Sequence, residues 1–263
     1  MKMLNRMVLG ATLLLAVLSP ALRADESAEE LAKKLANPVA SLISVPFQNN
    51  FDWGKGDSFR YQLNFQPVVP ITLDTDWNLI VRTIVPYIDQ KDFIPGTTQN
   101  GLGDITQSFF FAPTKTLGGW IIGAGPVFLY PSATNDLTGT GKFGLGPTVV
   151  ALRQDGPWTW GALYNHIWSV AGSGNRDSVN SSFIQPFLNY TTKSATTFGL
   201  NTESTYDWEH GQWTVPINLF VSQVVKVGDQ RMSLALGARY IPEAPTNAPE
   251  WGVRFVLTLL FPK

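Results

Sequence analysis

Long segments of strictly alternating apolar and polar residues dominate this sequence. In the segment that begins at Phe59, the apolar residues Phe59, Tyr61 and Leu63 alternate with Arg60 and Gln62. Successive side chains of a β-strand point to opposite faces, so the pattern predicts a strand with one apolar and one polar face. A soluble sandwich and a membrane barrel both use such strands, and they differ in whether the apolar face meets a core or lipid.

The number and length of the segments distinguish these two folds. Twelve segments are predicted, at about 44–53, 58–70, 77–88, 104–113, 119–130, 142–153, 158–171, 181–192, 196–208, 213–225, 231–241 and 250–261. Most exceed the roughly five or six residues of strands in soluble sheets and match the roughly nine to eleven that cross a bilayer. Short and long connections alternate between them, as in outer-membrane barrels. We therefore predict an all-β fold, a transmembrane antiparallel β-barrel of about 12 strands at residues 44–263.

Charges and tryptophans follow the distribution that lipid would impose. Among the charged residues within the predicted strands, Arg153 alone falls on the apolar face, at a strand end. A charge at the bilayer midplane costs about 2–4 kcal/mol, which explains such segregation. All nine tryptophans lie at or near strand ends, where aromatic girdles form at both membrane interfaces. The predicted location is the outer membrane of a Gram-negative bacterium, with outer-membrane lipid as a partner.

Six prolines lie inside the predicted strands. A closed barrel has no edge strands, and proline lacks the N–H that a strand ladder needs. We therefore expect bulges at these positions: Pro67, Pro86, Pro126, Pro147, Pro186 and Pro216.

The N-terminal residues predict an exported chain. Residues 1–24 have a basic start, an apolar run at residues 7–18 and a small residue at Ala24, as in a secretory signal peptide. Residues 25–43 then predict a helix, because Ser27 and Glu30 form a capping-box spacing and Pro38 ends the run. This segment either rests against the barrel or plugs it. The sequence has no cysteine, so neither disulfides nor a lipid-modified cysteine are expected.

Several polar residues fall on the predicted lumen face of the strands. Most are expected to form a structural network of ion pairs, because a narrow lumen must pair its buried charges. A minority would select solutes. The lumen-lining candidates are Arg60, Gln62, Asn64, Arg82, Asn201, Glu203, Arg239 and Arg254. After removal of the signal peptide, 16 basic and 20 acidic residues remain, so nothing indicates nucleic acid. No spacing indicates a metal site, a phosphate loop or a cofactor.

An enzymatic function would depend on the two histidines of the chain, His166 and His210. A barrel hydrolase needs a histidine within reach of a nucleophile or of a metal-activated water. Twelve strands are also the count of outer-membrane phospholipase A, whose pattern places a serine two residues after the histidine. Here Trp168 takes that position after His166, and Ser169 falls on the other face. We therefore expect His166 to be an interfacial residue and His210 a solvated loop residue, and we predict no enzyme.

Several long phrases carry a resemblance to a known family. They include "LAKKLANPVASLISVPFQNNFD", "DWNLIVRTIVPYI", "GPWTWGALYNHIWSVAG", "TTFGLNTESTYDWE" and the closing "WGVRFVLTLLFPK". The chain resembles bacterial outer-membrane proteins labelled as components of the meta pathway of phenol degradation, some of which bear the label neuromedin U. The resemblance implies a β-barrel that transports small, aromatic or hydrophobic compounds. It names no catalytic residues.

Three functions remain open from the sequence. The first is passive or facilitated transport of a small solute, suggested by the polar lumen face and the longer loops on one rim. The second is a lipid hydrolase that depends on His166. The third is a structural or interaction barrel with a closed lumen. An aromatic residue near the C-terminus, Phe261, resembles the signal read by the barrel assembly machinery, which is therefore an expected partner.

Overall fold

A computed structural model describes residues 27–93 and 96–262. The predicted signal peptide lies outside the described residues. The elements are α1 (Ala28–Leu35), β1 (Ile43–Trp53), β2 (Phe59–Phe65), β3 (Val68–Thr72), β4 (Trp77–Lys91), β5 (Thr98–Leu102), β6 (Ile105–Pro113), β7 (Ile121–Tyr130), β8 (Lys142–Asp155), β9 (Trp158–Gly172), β10 (Asn180–Thr191), β11 (Thr196–Thr202), β12 (Ser204–Asp207), β13 (Gln212–Thr214), β14 (Ile217–Val227), β15 (Gln230–Tyr240) and β16 (Trp251–Phe261). No helix in this part of the chain has the length and apolar character needed to cross a membrane.

The strands form one closed antiparallel barrel. β1 pairs with β16 along its whole length, from Ile43 opposite Phe261 to Trp53 opposite Trp251, and this pairing closes the sheet. Four crossings are each divided into two strands, namely β2 with β3, β5 with β6, β11 with β12, and β13 with β14. Counted as crossings, the strands number 12, so the predicted barrel is confirmed.

The prolines coincide with interruptions of the strand ladders. Pro67 and Pro216 lie in the gaps between β2 and β3 and between β13 and β14, and Pro186 faces the gap between β11 and β12. The register is the same on both sides of these gaps, so the ladder loses a bond without gaining a residue. At Pro86 the register shifts by one, from Tyr87 opposite Leu102 to Ile84 opposite Thr106. Pro126 and Pro147 lie opposite each other in β7 and β8, and the register is unchanged on both sides of them. Of the six prolines at which a bulge was expected, Pro86 alone has one, and the expectation is wrong for the other five.

Aromatic residues ring the outside of the barrel at both ends. On the rim with the longer connections, Trp53 stacks on Trp251 with ring centroids 4.6 Å apart. On the opposite rim, Trp120 packs edge-on against Trp160 at 5.2 Å. Arg153, on the apolar face, places its guanidinium 5.8 Å from the Trp120 ring. Two girdles flank an apolar outer surface, as lipid requires, and the chain is an outer-membrane barrel.

The two rims differ in their connections. One rim carries the described loop residues 54–58, 92–93, 96–97, 131–141, 173–179, 208–211 and 241–250. The other carries the turns 73–76, 114–120, 156–157, 192–195 and 228–229, together with both ends of the barrel sequence. In outer-membrane barrels the short turns are periplasmic and the long loops extracellular. We use "periplasmic" and "outer" for the two rims in this sense.

Candidate functional site in the barrel lumen

A network of charges lines the lumen, beginning near the outer ends of β1, β2 and β15. Asp52 on β1 is 1% exposed and lies between two guanidinium groups, at 3.2 Å from Arg239 Nε and 3.4 Å from Arg60 Nη2. Arg239 Nη1 also donates to Asn50 Oδ1 at 2.6 Å. These residues come from β1, β2 and β15, so the network ties strands on both sides of the closing pair of the barrel.

A two-pronged ion pair extends the network. Arg254 on β16 donates from Nη1 and Nη2 to the two carboxylate oxygens of Glu203, at 2.9 and 2.7 Å. Its Nε donates to Asn50 Oδ1 at 2.7 Å, so Arg239 and Arg254 share one amide oxygen. Fork-to-fork pairs of this kind fix orientation as well as charge. Glu203 lies in the break between β11 and β12, and its backbone N–H donates to the carbonyl oxygen of Pro216 at 3.2 Å.

Arg82 occupies a different electrostatic position. Its Nη2 donates to the neutral amide Gln66 Oε1 at 3.0 Å. Within the described residues, no carboxylate lies within ion-pair distance of Arg82, whereas the other three lumen arginines each have one. The charge of Arg82 is therefore balanced only at longer range.

The remaining sequence candidates form neutral contacts. Gln62 donates to Asn64 at 2.9 Å, and Asn218 donates to Asn201 at 2.8 Å. The four arginines and Glu203 form or adjoin the network of charges, but these amides do not join its ion pairs. That any of these residues takes part in the passage of a solute stays a prediction.

Sequence reasoning missed three members of the network. Asn50 and Asp52 occupy alternate positions of β1, and both are buried in the lumen. Gln66 is the partner of Arg82 on the next crossing. Asn50 and Asp52 lie on the same face of β1 as Pro46 and Gln48, so alternation in the first strand was the signal that could have found them.

A cavity of about 250 Å³ lies on the periplasmic side of the network. Arg82, Glu203 and Arg254 line its polar side, and Phe187 and Phe220 line its apolar side. A Cβ built on Gly199 would lie 2.1 Å from the Phe220 ring, so glycine at that position leaves the space that the ring occupies. The cavity therefore offers both charge and an aromatic surface.

The lumen wall built by β4 and β6–β9 is apolar. Ile80, Phe110, Val150, Leu152 and Leu163 are all essentially unexposed and form one cluster. Close to it, Gly123 lies where a Cβ would contact Val39, Phe110 and Val150 at 3.0–3.3 Å. Val39, from the segment after the helix, packs into this cluster and covers it on the lumen side.

Helix α1 lies in the periplasmic mouth of the barrel. A capping box between Ser27 and Glu30 starts the helix. Leu31 is fully buried against the barrel residues Val224 and Leu260 and against Ala195 of a periplasmic turn. The helix forms part of the cavity lining through residues 32, 35 and 36. The N-terminal segment therefore occupies the space through which a solute leaving the cavity would pass.

His166 lies on the outer surface of the barrel and not in the lumen. Its Nδ1 is 2.7 Å from Ser182 Oγ, and its Nε2 is 3.0 Å from Asn180 Oδ1. An amide oxygen only accepts, so in the neutral ring Nε2 carries the proton and Nδ1 accepts from the serine hydroxyl. Trp208 Nε1 donates to the same Ser182 Oγ at 2.9 Å, and Trp168 packs on the imidazole at 4.1 Å.

His210 lies in the outer loop 208–211 and is exposed. A hydrogen bond to Asp207, 2.8 Å long, raises the pKa of His210, and the nearby charges of Asp207 and Asp177 raise it further. Since the ordinary pKa is about 6.5, the imidazolium contact with these carboxylates is fully present below that pH. It is lost as the pH rises through the raised pKa.

Solved structures share this fold. An outer-membrane channel from Pseudomonas putida F1 superposes with a TM-score of 0.63 at 12% identity, over 84% of this chain and 94% of the channel. The NanC porin gives a TM-score of 0.53 at 13% identity, over 82% and 98% of the two chains. Outer-membrane phospholipase A from Escherichia coli gives 0.50 at 10% identity, over 88% and 97%.

Sequence comparisons add no family. No protein-family model matches the chain, and no curated protein matches it. The predicted relation to the phenol-degradation family therefore stays a prediction. At these low identities the solved structures define the fold alone, and that fold is the outer-membrane barrel shared by channels and porins.

Proposed function

We propose that this barrel conducts small solutes across the outer membrane by passive or facilitated diffusion. The observation that carries the proposal is the lumen cavity between the charged network and helix α1. A barrel with a purely structural role has no need of such a space, since side chains can fill a narrow lumen completely. The likeness in fold to a channel and a porin supports the same function.

We further propose that helix α1 gates the exit from the lumen. The helix docks on the barrel through the apolar contacts of Leu31 and Ala32 and through a hydrogen bond of 2.9 Å from Gln154 Nε2 to the Lys33 carbonyl oxygen, contacts that can form and break. It contributes no strand to the sheet, so the β-barrel stays intact when the helix is released. Aromatic or hydrophobic solutes fit the apolar wall of the lumen, in line with the family resemblance. Assembly of the barrel would depend on the outer-membrane assembly machinery.

Planar-bilayer recording tests this function. The refolded mature protein is expected to give steady single-channel currents, with folding verified by heat-modifiable migration on gels. Heat-denatured protein from the same preparation is the control. A folded protein that inserts but carries no current would overturn the proposal and leave a closed, structural barrel.

A second function, a lipid hydrolase, is favoured by Ser182, His166 and Asn180. The hydroxyl, imidazole and amide follow the order nucleophile, base and orienting group. They lie on the lipid-facing side near the outer aromatic girdle. The serine comes from β10, the strand next to that of the histidine, and so does not follow the pattern of a serine two residues after the histidine. Ser182 is nevertheless buried beneath Trp208, which must move before an ester can approach.

The reaction would be an acyl transfer to water. Ser182 Oγ attacks the ester carbonyl carbon while its proton passes to His166 Nδ1. The carbon–oxygen bond to the alcohol then breaks, and the alcohol takes the proton from the imidazolium. Water attacks the acyl-serine in the same way, the carboxylic acid leaves, and the proton returns to Ser182.

Ester hydrolysis in mixed micelles tests this second function. Wild-type protein is expected to release fatty acid from a phospholipid, and Ser182→Ala to lower the rate by at least about a hundredfold, because nucleophile and base act as a unit. Ser169→Ala is the matched control, since its side chain lies on the other face of β9. Equal rates in wild type and Ser182→Ala would exclude the mechanism.

A further inference from the structure

We propose that the lumen selects small organic anions with an apolar body, and that Arg82 is the residue that binds their charge. This inference rests on the proposed transport function and specifies its substrate class. It follows from the sign of the charge in the lumen, from the absence of a described carboxylate within ion-pair distance of Arg82 and from the apolar side of the same cavity.

The network of charges in the lumen carries an excess of positive charge. Arg60, Arg82, Arg239 and Arg254 face two carboxylates, Asp52 and Glu203. Two positive charges are therefore uncompensated within the network. In a narrow, low-dielectric channel such an excess attracts anions and repels cations over several ångströms.

Arg82 is the cation that an anion would meet in the cavity. Asp52 lies between Arg60 and Arg239, and Glu203 takes both prongs of Arg254. Arg82 has an amide partner through Nη2 and lines the cavity beside Glu203. A guanidinium presents five donors, so hydrogen bonds remain available for a carboxylate.

The same cavity provides a surface for an apolar group. Phe187 and Phe220 line it together with Val224 and Val256, while Arg82 and Gln66 line its polar side. A solute with a carboxylate at one end and a ring or short chain at the other would satisfy both. Small inorganic anions would make only the electrostatic contact with Arg82, and neutral aromatic molecules would make only the apolar contact.

Reversal potentials and calorimetry test the inference with benzoate, acetate and benzyl alcohol as probes. Under a potassium chloride gradient, the sign of the reversal potential is expected to show that the channel prefers chloride over potassium. Benzoate is expected to bind at least about tenfold more tightly than either acetate or benzyl alcohol, since each lacks one of the two contacts. Arg82→Gln is expected to remove both the benzoate binding and most of the anion preference. Lys115→Gln, which removes an exposed positive charge on the periplasmic rim outside the cavity lining, is the control.

The outcomes separate this inference from the proposed function. Conductance with cation preference, or equal binding of the three probes, would overturn the anion site and leave transport standing. Absence of conductance would overturn transport, while calorimetry on the folded protein still decides whether the site binds benzoate. A folded Arg82→Gln variant that binds benzoate as tightly as wild type would exclude Arg82 as the binding residue.

Discussion

Deleting residues 25–42 is expected to raise the single-channel conductance severalfold. Helix α1 and the segment after it fill the periplasmic mouth, and an α-helix with its side chains is about 10–12 Å wide. The barrel closes through β1 and β16 without them, so the sheet survives the deletion. Planar-bilayer recording of intact and truncated proteins measures the change.

A point variant distinguishes the effect of undocking the helix from the effect of removing its residues. Leu31→Asp places a carboxylate in a fully buried apolar site, which costs several kcal/mol and should undock the helix. Its conductance is expected to approach that of the truncated protein. Glu29→Gln changes a partly exposed charge on the same helix and should behave as wild type. Equal conductance in the intact and truncated proteins would show that the segment does not obstruct the pore.

Replacing Arg254 alone with methionine is expected to lower the free energy of unfolding by about 3–5 kcal/mol. The change leaves Glu203 as a buried carboxylate without its two-pronged partner and removes one donor to Asn50. Replacing Arg254 and Glu203 together, each with methionine, should recover most of the loss because no charge is stranded. Urea unfolding in lipid vesicles, followed by tryptophan fluorescence, measures both.

An exposed ion pair provides the matched control. Lys115 and Asp76 are 3.4 Å apart on the periplasmic rim, with side chains 85% and 64% exposed. Lys115→Met is expected to change the free energy of unfolding by less than about 0.5 kcal/mol. If Arg254→Met were no more harmful than Lys115→Met, the lumen network would not stabilise the barrel.

The barrel was predictable because its signal repeats in every crossing. A period of two, sustained over lengths that suit a bilayer, leaves little choice of fold, and the tryptophans mark both interfaces. The effect of the prolines was less predictable. A missing N–H can be accommodated by a gap or by a bulge, and the choice at Pro86 and Pro67 depends on the neighbouring strand, which the sequence of one strand does not contain.

For the site residues, the sequence predicts only the strand face on which each side chain lies. Alternation places Arg82, Glu203 and Arg254 on the lumen side, but not their partners. Glu203 and Arg254 meet across β14 and β15, so their contact depends on the curvature and stagger of the barrel. His166 and Ser182 likewise meet through the register of β9 with β10, which places them directly opposite each other. Pairings between strands of this kind are set by the assembled sheet.

Release of a small solute from sealed liposomes tests the central claim most directly. Liposomes containing the intact mature protein are loaded with labelled benzoate and labelled dextran, and protein-free liposomes are the control. If the lumen conducts small solutes, benzoate leaves much faster than from the control while dextran is retained. Retention of both by liposomes that contain correctly folded protein would contradict the account.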